Sequence, residues 1–201
     1  MSPGLEATLD ARGWVGLPAE VLERVRPGIV RVHGRGPAGA GGGVWRPDAV
    51  VTNHHVVAGA RRALRVVSAD GRAHAARVLD ASRRLDLALL EVADAVLVPA
   101  PIGRSARLRV GELVFAVGHP WGQPWVVTAG VVSGLGALPI PGRAGLGPYI
   151  RSDVRLAPGN SGGPLLDARG EVVGLNAMVI GGDLAVAIPS DVVGRWLGAG
   201  P

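Results

Sequence analysis

The chain contains no cysteine and no lysine, and aromatic residues make up only 3% of its 201 residues. Without cysteine there is no disulfide framework, no thiolate nucleophile and no cysteine-ligated zinc site. With so few aromatic rings, the core must consist mainly of valine, leucine, isoleucine and alanine. The 48% of hydrophobic residues is nevertheless enough for a packed globular protein rather than a disordered one.

Long apolar segments are also missing. No run of apolar residues approaches the length of a transmembrane helix, so we expect no membrane segment. The first ten residues lack the basic stretch and apolar run of a secretory signal peptide. We therefore expect a soluble protein, cytoplasmic as the sequence stands and extracytoplasmic if the sequence is part of a longer one.

The basic charge of the chain does not form a pattern that binds nucleic acid. The formal net charge is +5, and all 21 basic residues are arginines. They are scattered singly or in pairs, with no aromatic side chains between them that could stack on bases, so we expect no nucleic-acid partner. The histidines and carboxylates show no metal-ligand spacing, so we expect neither a metal nor a cofactor.

Valine-rich segments separated by 32 glycines and 16 prolines predict many short strands joined by turns. Two series of about six strands predict an all-β fold of two six-stranded antiparallel β-barrels. Short helices are predicted at 18–26 and 189–197, each beginning near a proline. We expect three parts: a lead-in with a helix, a first barrel, and a second barrel with the C-terminal helix, at 1–27, 28–103 and 104–201.

Two glycine-rich segments are predicted to be surface loops. The segment 37–43, PAGAGGG, lacks the GK[ST] ending of a phosphate-binding loop, and no helical pattern follows it. The segment 134–148 contains many glycines and prolines and almost no charge. Neither segment carries a residue that we assign to a site.

The strongest chemical signal is APGNSGGPLLD at 157–167. A serine hydroxyl is a poor nucleophile at neutral pH, so it needs a neighbouring base and donors for the developing oxyanion. Glycines on both sides of Ser161 allow a sharp turn that exposes the hydroxyl. They also allow the amides of Gly159 and Ser161 to point at one carbonyl oxygen. The alternative is a glycine-rich turn in which the serine is only a cap.

Two further segments supply an imidazole base and a carboxylate. In VVTNHHVVAG a strand ends at His54 and His55, of which only one can serve, because neighbouring side chains point in different directions. In RRLDLALLEV, Asp86 is flanked by leucines and is expected inside an apolar strand. A buried carboxylate is costly without hydrogen-bond donors, and an imidazole N–H is such a donor.

The order of these residues excludes two kinds of hydrolase. GNSGG also matches the GxSxG elbow of α/β-hydrolases, but that fold needs a histidine after the serine, and the last histidine here is His119. The subtilisin order needs an aspartate before the histidine, and no suitable apolar-flanked aspartate precedes the histidine pair. The order histidine, aspartate, serine is that of chymotrypsin.

Four segments of the chain resemble the HtrA (Deg-type) branch of trypsin-like serine proteases, over nearly all of residues 20–197. TNHHV is similar to the TNxHV motif of that family, which selects His55 as the base. LDLALLEV is similar to its DLALL segment and carries Asp86. GHPWGQPWVVTAGVVSG and APGNSGGPLLD resemble the GxPxG…TxGxVS and PGNSGGPL motifs.

The resemblance implies a serine endopeptidase that acts on unfolded or exposed protein segments through His55, Asp86 and Ser161. It implies an oxyanion loop of Gly159, Asn160 and Ser161, and a substrate strand that adds beside residues 177–180. The specificity pocket is implied to be formed by Leu156, Met178 and Val179. The alternative function is a chaperone-like peptide-binding protein with weak or gated proteolysis.

Two further expectations concern assembly and specificity. Members of the family often form trimers through N-terminal segments, so a homotrimer is a further expectation. Arg155 stands where the family usually has a small or apolar residue. We expect its side chain to lie on the surface rather than in the specificity pocket.

Overall fold

A computed structural model describes residues 17–34, 39–60, 64–137, 148–180 and 184–198. Within these ranges the chain forms twelve β-strands and three short α-helices. None of these helices is both long and apolar enough to span a membrane. The helices are α1 (Leu17–Val25), α2 (His54–Val57) and α3 (Ser190–Trp196).

The first six strands close into an antiparallel barrel in the order β1-β2-β3-β6-β5-β4. Its core consists of valines and leucines, because β-branched side chains pack well on a pleated surface and few aromatics are available. The strands are β1 (Ile29–His33), β2 (Ala40–Arg46), β3 (Ala49–Thr52), β4 (Leu64–Val67), β5 (Ala73–Ser82) and β6 (Leu87–Val92).

The next six strands close into a second antiparallel barrel, in the order β10-β11-β12-β9-β8-β7. Its interior is filled by aliphatic side chains such as Val114, Ile150 and Leu165, which are almost completely buried. The strands are β7 (Leu113–Gly118), β8 (Val126–Ala137), β9 (Pro148–Ser152), β10 (Pro164–Asp167), β11 (Val172–Ile180) and β12 (Leu184–Pro189).

The predicted fold class is confirmed: the chain forms two six-stranded antiparallel barrels with short helices near both ends. The N-terminal helix begins and ends one residue earlier than expected, and the C-terminal helix is one residue shorter at each end. The proposed boundaries at 27 and 103 fall outside the strands of both barrels and stay a prediction.

One predicted loop is in fact part of a strand. Residues 40–43 of the segment 37–43 lie in β2, paired with β1. Glycines were interpreted as loop formers, but here they let another part of the chain approach β2 closely. In the other predicted loop, 134–137 extend β8 and residue 148 begins β9, while 138–147 lie outside the described residues.

The two barrels share an apolar cluster that fixes their relative position. It joins buried side chains of β3 and β6 in the first barrel to those of β11 and β12 in the second, with two valines of α3. Burial of this apolar surface is the main source of stability at the contact. Its members include Val51, Leu87, Leu175, Val186 and Ile188.

A closer contact lies beside this cluster and involves only backbone and glycine. The N–H of Gly41 in β2 donates a 2.8 Å hydrogen bond to the carbonyl of Ser161, just before β10. A Cβ on Gly41 would overlap the backbone N and Cα of Gly163, and one on Gly162 would overlap the hydroxyl of Thr52 in β3. Glycine is therefore required on both sides of this contact.

We expect Gly41→Ala to lower the free energy of unfolding by about 3 kcal/mol, because the added methyl group has no space against Gly163. Gly43→Ala is a matched control in the same strand, where a Cβ would make only ordinary contact with the ring of Trp45 at 3.8 Å. It should change stability by less than about 1 kcal/mol. Urea denaturation of both variants measures the difference, and equal losses would contradict the required close approach.

Candidate active site

The end of β3 and the single turn of α2 position the first of the expected site residues. Thr52 and Asn53 are fully buried, and the Thr52 hydroxyl donates to the carbonyl of Gly41 at 2.7 Å. In α2, Val56 and Val57 are buried in the first barrel. His55 therefore lies on a short, well-anchored helix, with its side chain 44% exposed at the contact between the barrels.

Asp86 lies at the end of the turn before β6, not inside the strand as expected from its leucine neighbours. Its backbone has a φ of 56°, the left-handed region that aspartate tolerates better than most residues. Its carbonyl accepts hydrogen bonds from the Asn53 side-chain amide at 3.0 Å and from the His54 N–H at 3.1 Å. The residue is thus tied to α2, and its carboxylate is 2% exposed.

Both carboxylate oxygens of Asp86 bond to His55. The Nδ1 atom of the imidazole lies 2.8 Å from Oδ2, and the backbone N–H of His55 donates to Oδ1 at 3.0 Å. An ionised carboxylate can only accept hydrogen bonds, so Nδ1 carries the proton of a neutral imidazole. The lone pair then lies on Nε2, on the far side of the ring, where it can accept a proton.

Ser161 lies in the turn that leads into β10, and its position is fixed by both barrels. Its carbonyl accepts the hydrogen bond from Gly41, and the following glycine packs against Thr52, three residues before His55. These two contacts join the Ser161 turn to β2 and to β3, the strand that leads into α2 and His55. Its hydroxyl donates to the carbonyl of Ala177 in β11 at 3.3 Å.

The turn before Ser161 presents two backbone donors. Gly159 and Gly162 have φ of 108° and 78°, which are accessible to glycine at little cost. Within the described part of the chain, neither the N–H of Gly159 nor that of Ser161 donates to an acceptor. Between them, Asn160 is buried and its N–H donates to the Ala157 carbonyl at 2.9 Å. The geometry suits an oxyanion site.

The β7–β8 turn supports this segment from behind. The N–H of His119 donates to the carbonyl of Gly159 at 3.2 Å, and the N–H of Trp121 donates to that of Pro158 at 3.3 Å. A Cβ on Gly159 would overlap the His119 carbonyl, and one on Gly118 would overlap the side chain of Asn160. The two turns are therefore in close backbone contact.

The three residues expected to form the specificity pocket have different surroundings. Leu156 is half-buried against the core of the second barrel, whereas Met178 packs against the cluster between the barrels. Val179 is 39% exposed. The side chain of Arg155 is exposed, and its carbonyl accepts a 2.8 Å hydrogen bond from the Thr128 hydroxyl. The role of these residues in specificity stays a prediction.

His119 is the site-supporting residue whose importance the sequence did not reveal. It lies in the turn after β7, is 2% exposed, and its imidazole packs edge-on against Trp125, with ring centroids 5.1 Å apart. Neither ring nitrogen has a hydrogen-bond partner among the described residues. Burial, reinforced by the positive charge of Arg31, lowers the pKa of His119 to about 4. The imidazole is therefore neutral near pH 7.

The described residues contain no group of three or more histidine, aspartate or glutamate side chains placed to hold a metal ion. The fixed imidazole, the serine and the two amide donors require none for acyl transfer. A general base, a nucleophile and an oxyanion site are the parts that acyl transfer needs, and their assignment to these residues stays a prediction.

Comparison with known proteins identifies relatives of this chain. Residues 39–175 match the trypsin-like peptidase domain family. The "Probable periplasmic serine endoprotease DegP-like" of Hahella chejuensis is 41% identical over 169 residues, 79% of this chain and 35% of that protein. Serine protease HTRA1 of Xenopus laevis is 34% identical over 193 residues, 89% of this chain and 42% of that protein. The chain thus spans 35–42% of the length of these two relatives.

A solved structure shows the same fold. An HtrA-type protease, AlgW with a decapeptide, superposes with a TM-score of 0.82 over 90% of this chain and 66% of that chain. The two sequences are 24% identical, so this likeness is one of fold.

The buried, neutral His119 predicts a loss of stability in mild acid. Between its ordinary pKa of 6.5 in the unfolded chain and about 4 in the folded chain, only the unfolded form binds the proton. Stability should therefore fall as the pH falls through this range, by about 2 kcal/mol between pH 7 and pH 5 from this residue. His119→Phe, which keeps the ring contact with Trp125, should remove that part of the loss.

Urea denaturation of the wild type and His119→Phe at both pH values measures the effect. Equal stability at pH 7 would show that the variant packs normally. The same loss on acidification in both proteins would mean that His119 is not the group that titrates.

Proposed function

The chain belongs to the trypsin-like peptidase family, with DegP- and HtrA-type serine proteases as relatives, and on that premise we propose that it is a serine endopeptidase. The proposed catalytic residues are His55, Asp86 and Ser161. The observation that carries the proposal is the double hydrogen bond from His55 to the buried carboxylate of Asp86. Such a contact orients an imidazole for proton transfer.

In the first step the Ser161 oxygen attacks the carbonyl carbon of the scissile peptide bond, and Nε2 of His55 takes the hydroxyl proton. To do so, the hydroxyl leaves the carbonyl of Ala177 and turns toward the imidazole by rotation about its Cα–Cβ bond. Asp86 stays ionised and stabilises the imidazolium that forms.

The carbonyl oxygen then carries a negative charge in the tetrahedral intermediate. The N–H groups of Gly159 and Ser161 are the proposed donors to this oxygen. One such donor typically contributes about 100- to 1,000-fold in rate. Asn160 would hold the turn through the hydrogen bond of its N–H to the Ala157 carbonyl rather than contact the oxyanion itself.

Collapse of the intermediate breaks the C–N bond, and the imidazolium gives its proton to the leaving amine. The acyl group remains on Ser161 as an ester. A water molecule then attacks the ester with His55 again as the base, which releases the acid and restores the serine.

The substrate is proposed to bind as an added strand beside β11. Beyond Asn176 this strand pairs with β12, as in Met178 with Val186, and no described strand pairs with its other edge. That edge faces the Ser161 turn, and Ala177 contacts the serine hydroxyl. Because an extended peptide is needed for such pairing, unfolded or exposed segments of proteins are the proposed substrates.

The hydrogen bond from Ser161 to Ala177 also favours a second candidate function. In this geometry the hydroxyl does not bond to His55, as in a protein that holds peptides and cleaves them only when gated. A chaperone-like peptide-binding protein is therefore the alternative. The expected homotrimer stays a prediction.

A fluorophosphonate probe should label the wild type at Ser161, because only an activated serine reacts with it. Ser161→Ala should abolish labelling, whereas Ser133→Ala, on the exposed face of β8, should not. Denatured casein should be cleaved by the wild type and not by Ser161→Ala. Absence of labelling and of cleavage in the wild type would favour the chaperone-like alternative, and labelling without casein cleavage would indicate an esterase.

Asp86→Asn tests the charge without disturbing the backbone, since asparagine also tolerates the φ of 56°. It should lower kcat by about 10⁴-fold, because the amide can donate to Nδ1 and so favours the wrong tautomer of His55. Asp94→Asn is a matched control: Asp94 is exposed and has a similar φ of 52°. Steady-state peptide cleavage measures both, and equal activity of the two variants would contradict the role of Asp86.

A further inference from the structure

Trp121, in the turn between β7 and β8, is an exposed aromatic residue with an unfavourable backbone conformation. Its side chain is 71% exposed, and its backbone lies in the left-handed region at φ 51° and ψ 25°. A bulky side chain rarely adopts this conformation, and residues that do so cluster at functional sites.

Trp125, the second tryptophan of the turn, has a similar backbone conformation, but packing contacts stabilise it. Trp125 also has a positive φ, of 63°, but its ring contacts His119 and lies 5.1 Å below the guanidinium of Arg26. These contacts stabilise the conformation of Trp125. The ring of Trp121 instead faces solvent, so its conformation is not explained by packing inside the chain.

Two contacts fix the backbone around Trp121 beside the candidate active site. Its N–H donates to the carbonyl of Pro158, which directly precedes the oxyanion residue Gly159. The carbonyl of Gly122 accepts a 3.4 Å hydrogen bond from Arg31, a residue of the first barrel. The backbone that carries the exposed ring is thus bonded to both barrels.

The strand order shows on which side of Ser161 the β7–β8 turn lies. In the second barrel β10 lies between β11 and β7, and the end of β7 and the start of β10 are adjacent. The Ser161 turn leads into β10, so it has the free edge of β11 on one side and the β7–β8 turn on the other. A substrate whose acyl part lies along β11 must leave across the β7–β8 turn.

We propose that Trp121 contacts the substrate residues that follow the scissile bond and selects an apolar or aromatic side chain among them. This inference rests on the proposed function, since it takes the acyl part of the substrate to lie along β11. The flat indole would cover such a side chain and remove apolar surface from water. Because the contact is on the leaving side, it would act on formation of the acyl-enzyme and not on its hydrolysis.

Two substrate types separate this role from catalysis itself. Internally quenched peptides would share one acyl part and carry phenylalanine or glycine as the second residue after the scissile bond. A peptidyl coumarin amide with the same acyl part has no peptide on the leaving side. We expect the wild type to cleave the phenylalanine peptide with about tenfold higher kcat/KM than the glycine peptide.

Trp121→Ala should bring this ratio close to one and leave coumarin release within about twofold of the wild type. Trp121→Phe should keep most of the preference, because it keeps an aromatic face. Val96→Ala is the matched control, since Val96 is 91% exposed in the first barrel and its loss should change neither rate.

A preference that survives Trp121→Ala would overturn the inference. So would an equal loss of peptide and coumarin cleavage, which would mean that Trp121 only supports the oxyanion turn. If the wild type cleaves neither substrate, the proposed function fails and this inference fails with it. If the wild type cleaves the peptides and the coumarin amide but shows no preference for phenylalanine, only the inference about Trp121 is overturned and the proposed function stands.

Discussion

The contact on which the site depends is the backbone approach of β2 to the turn before β10. The imidazole and the carboxylate belong to one barrel and the serine to the other. The relative position of the three side chains therefore depends on the contact between the barrels. Gly41 and Gly163 meet there without side chains, and the hydrogen bond from Gly41 fixes the Ser161 carbonyl. Side chains at this contact could adopt several rotamers and so allow several distances between the barrels. A contact between two backbone segments allows only one close distance.

Within the first barrel, the buried carboxylate of Asp86 organises the residues around it. Its left-handed backbone directs its carbonyl to Asn53 and His54, while both carboxylate oxygens bond to His55. The two hydrogen bonds from His55 to the carboxylate oxygens offset the cost of burying the charge. The contacts of the Asp86 carbonyl hold its left-handed backbone, and the contacts of its carboxylate set the orientation of the imidazole.

The fold class and the grouping of His55 and Asp86 could be predicted from valine-rich strands, turn residues and motif order. The position of Asp86 could not, because leucine neighbours indicate a strand equally well whether the aspartate lies in it or before it. The glycines of β2 were interpreted as a loop, since local propensity contains no information about a second barrel that approaches them. The burial of His119 is not visible in the sequence either, because the turn residues do not show that the ring of Trp125 packs against the imidazole.

The approach to the β2 glycines depends on a contact between segments far apart in the sequence, which local patterns do not record. The burial of His119 depends instead on how its own turn folds, with Trp125 against the imidazole. In the β7–β8 turn the backbone N–H of His119 donates to the carbonyl of Gly159, the neutral imidazole packs against Trp125, and the indole of Trp121 is exposed. A second positive charge in place of the neutral imidazole would be costly to bury beside Arg31.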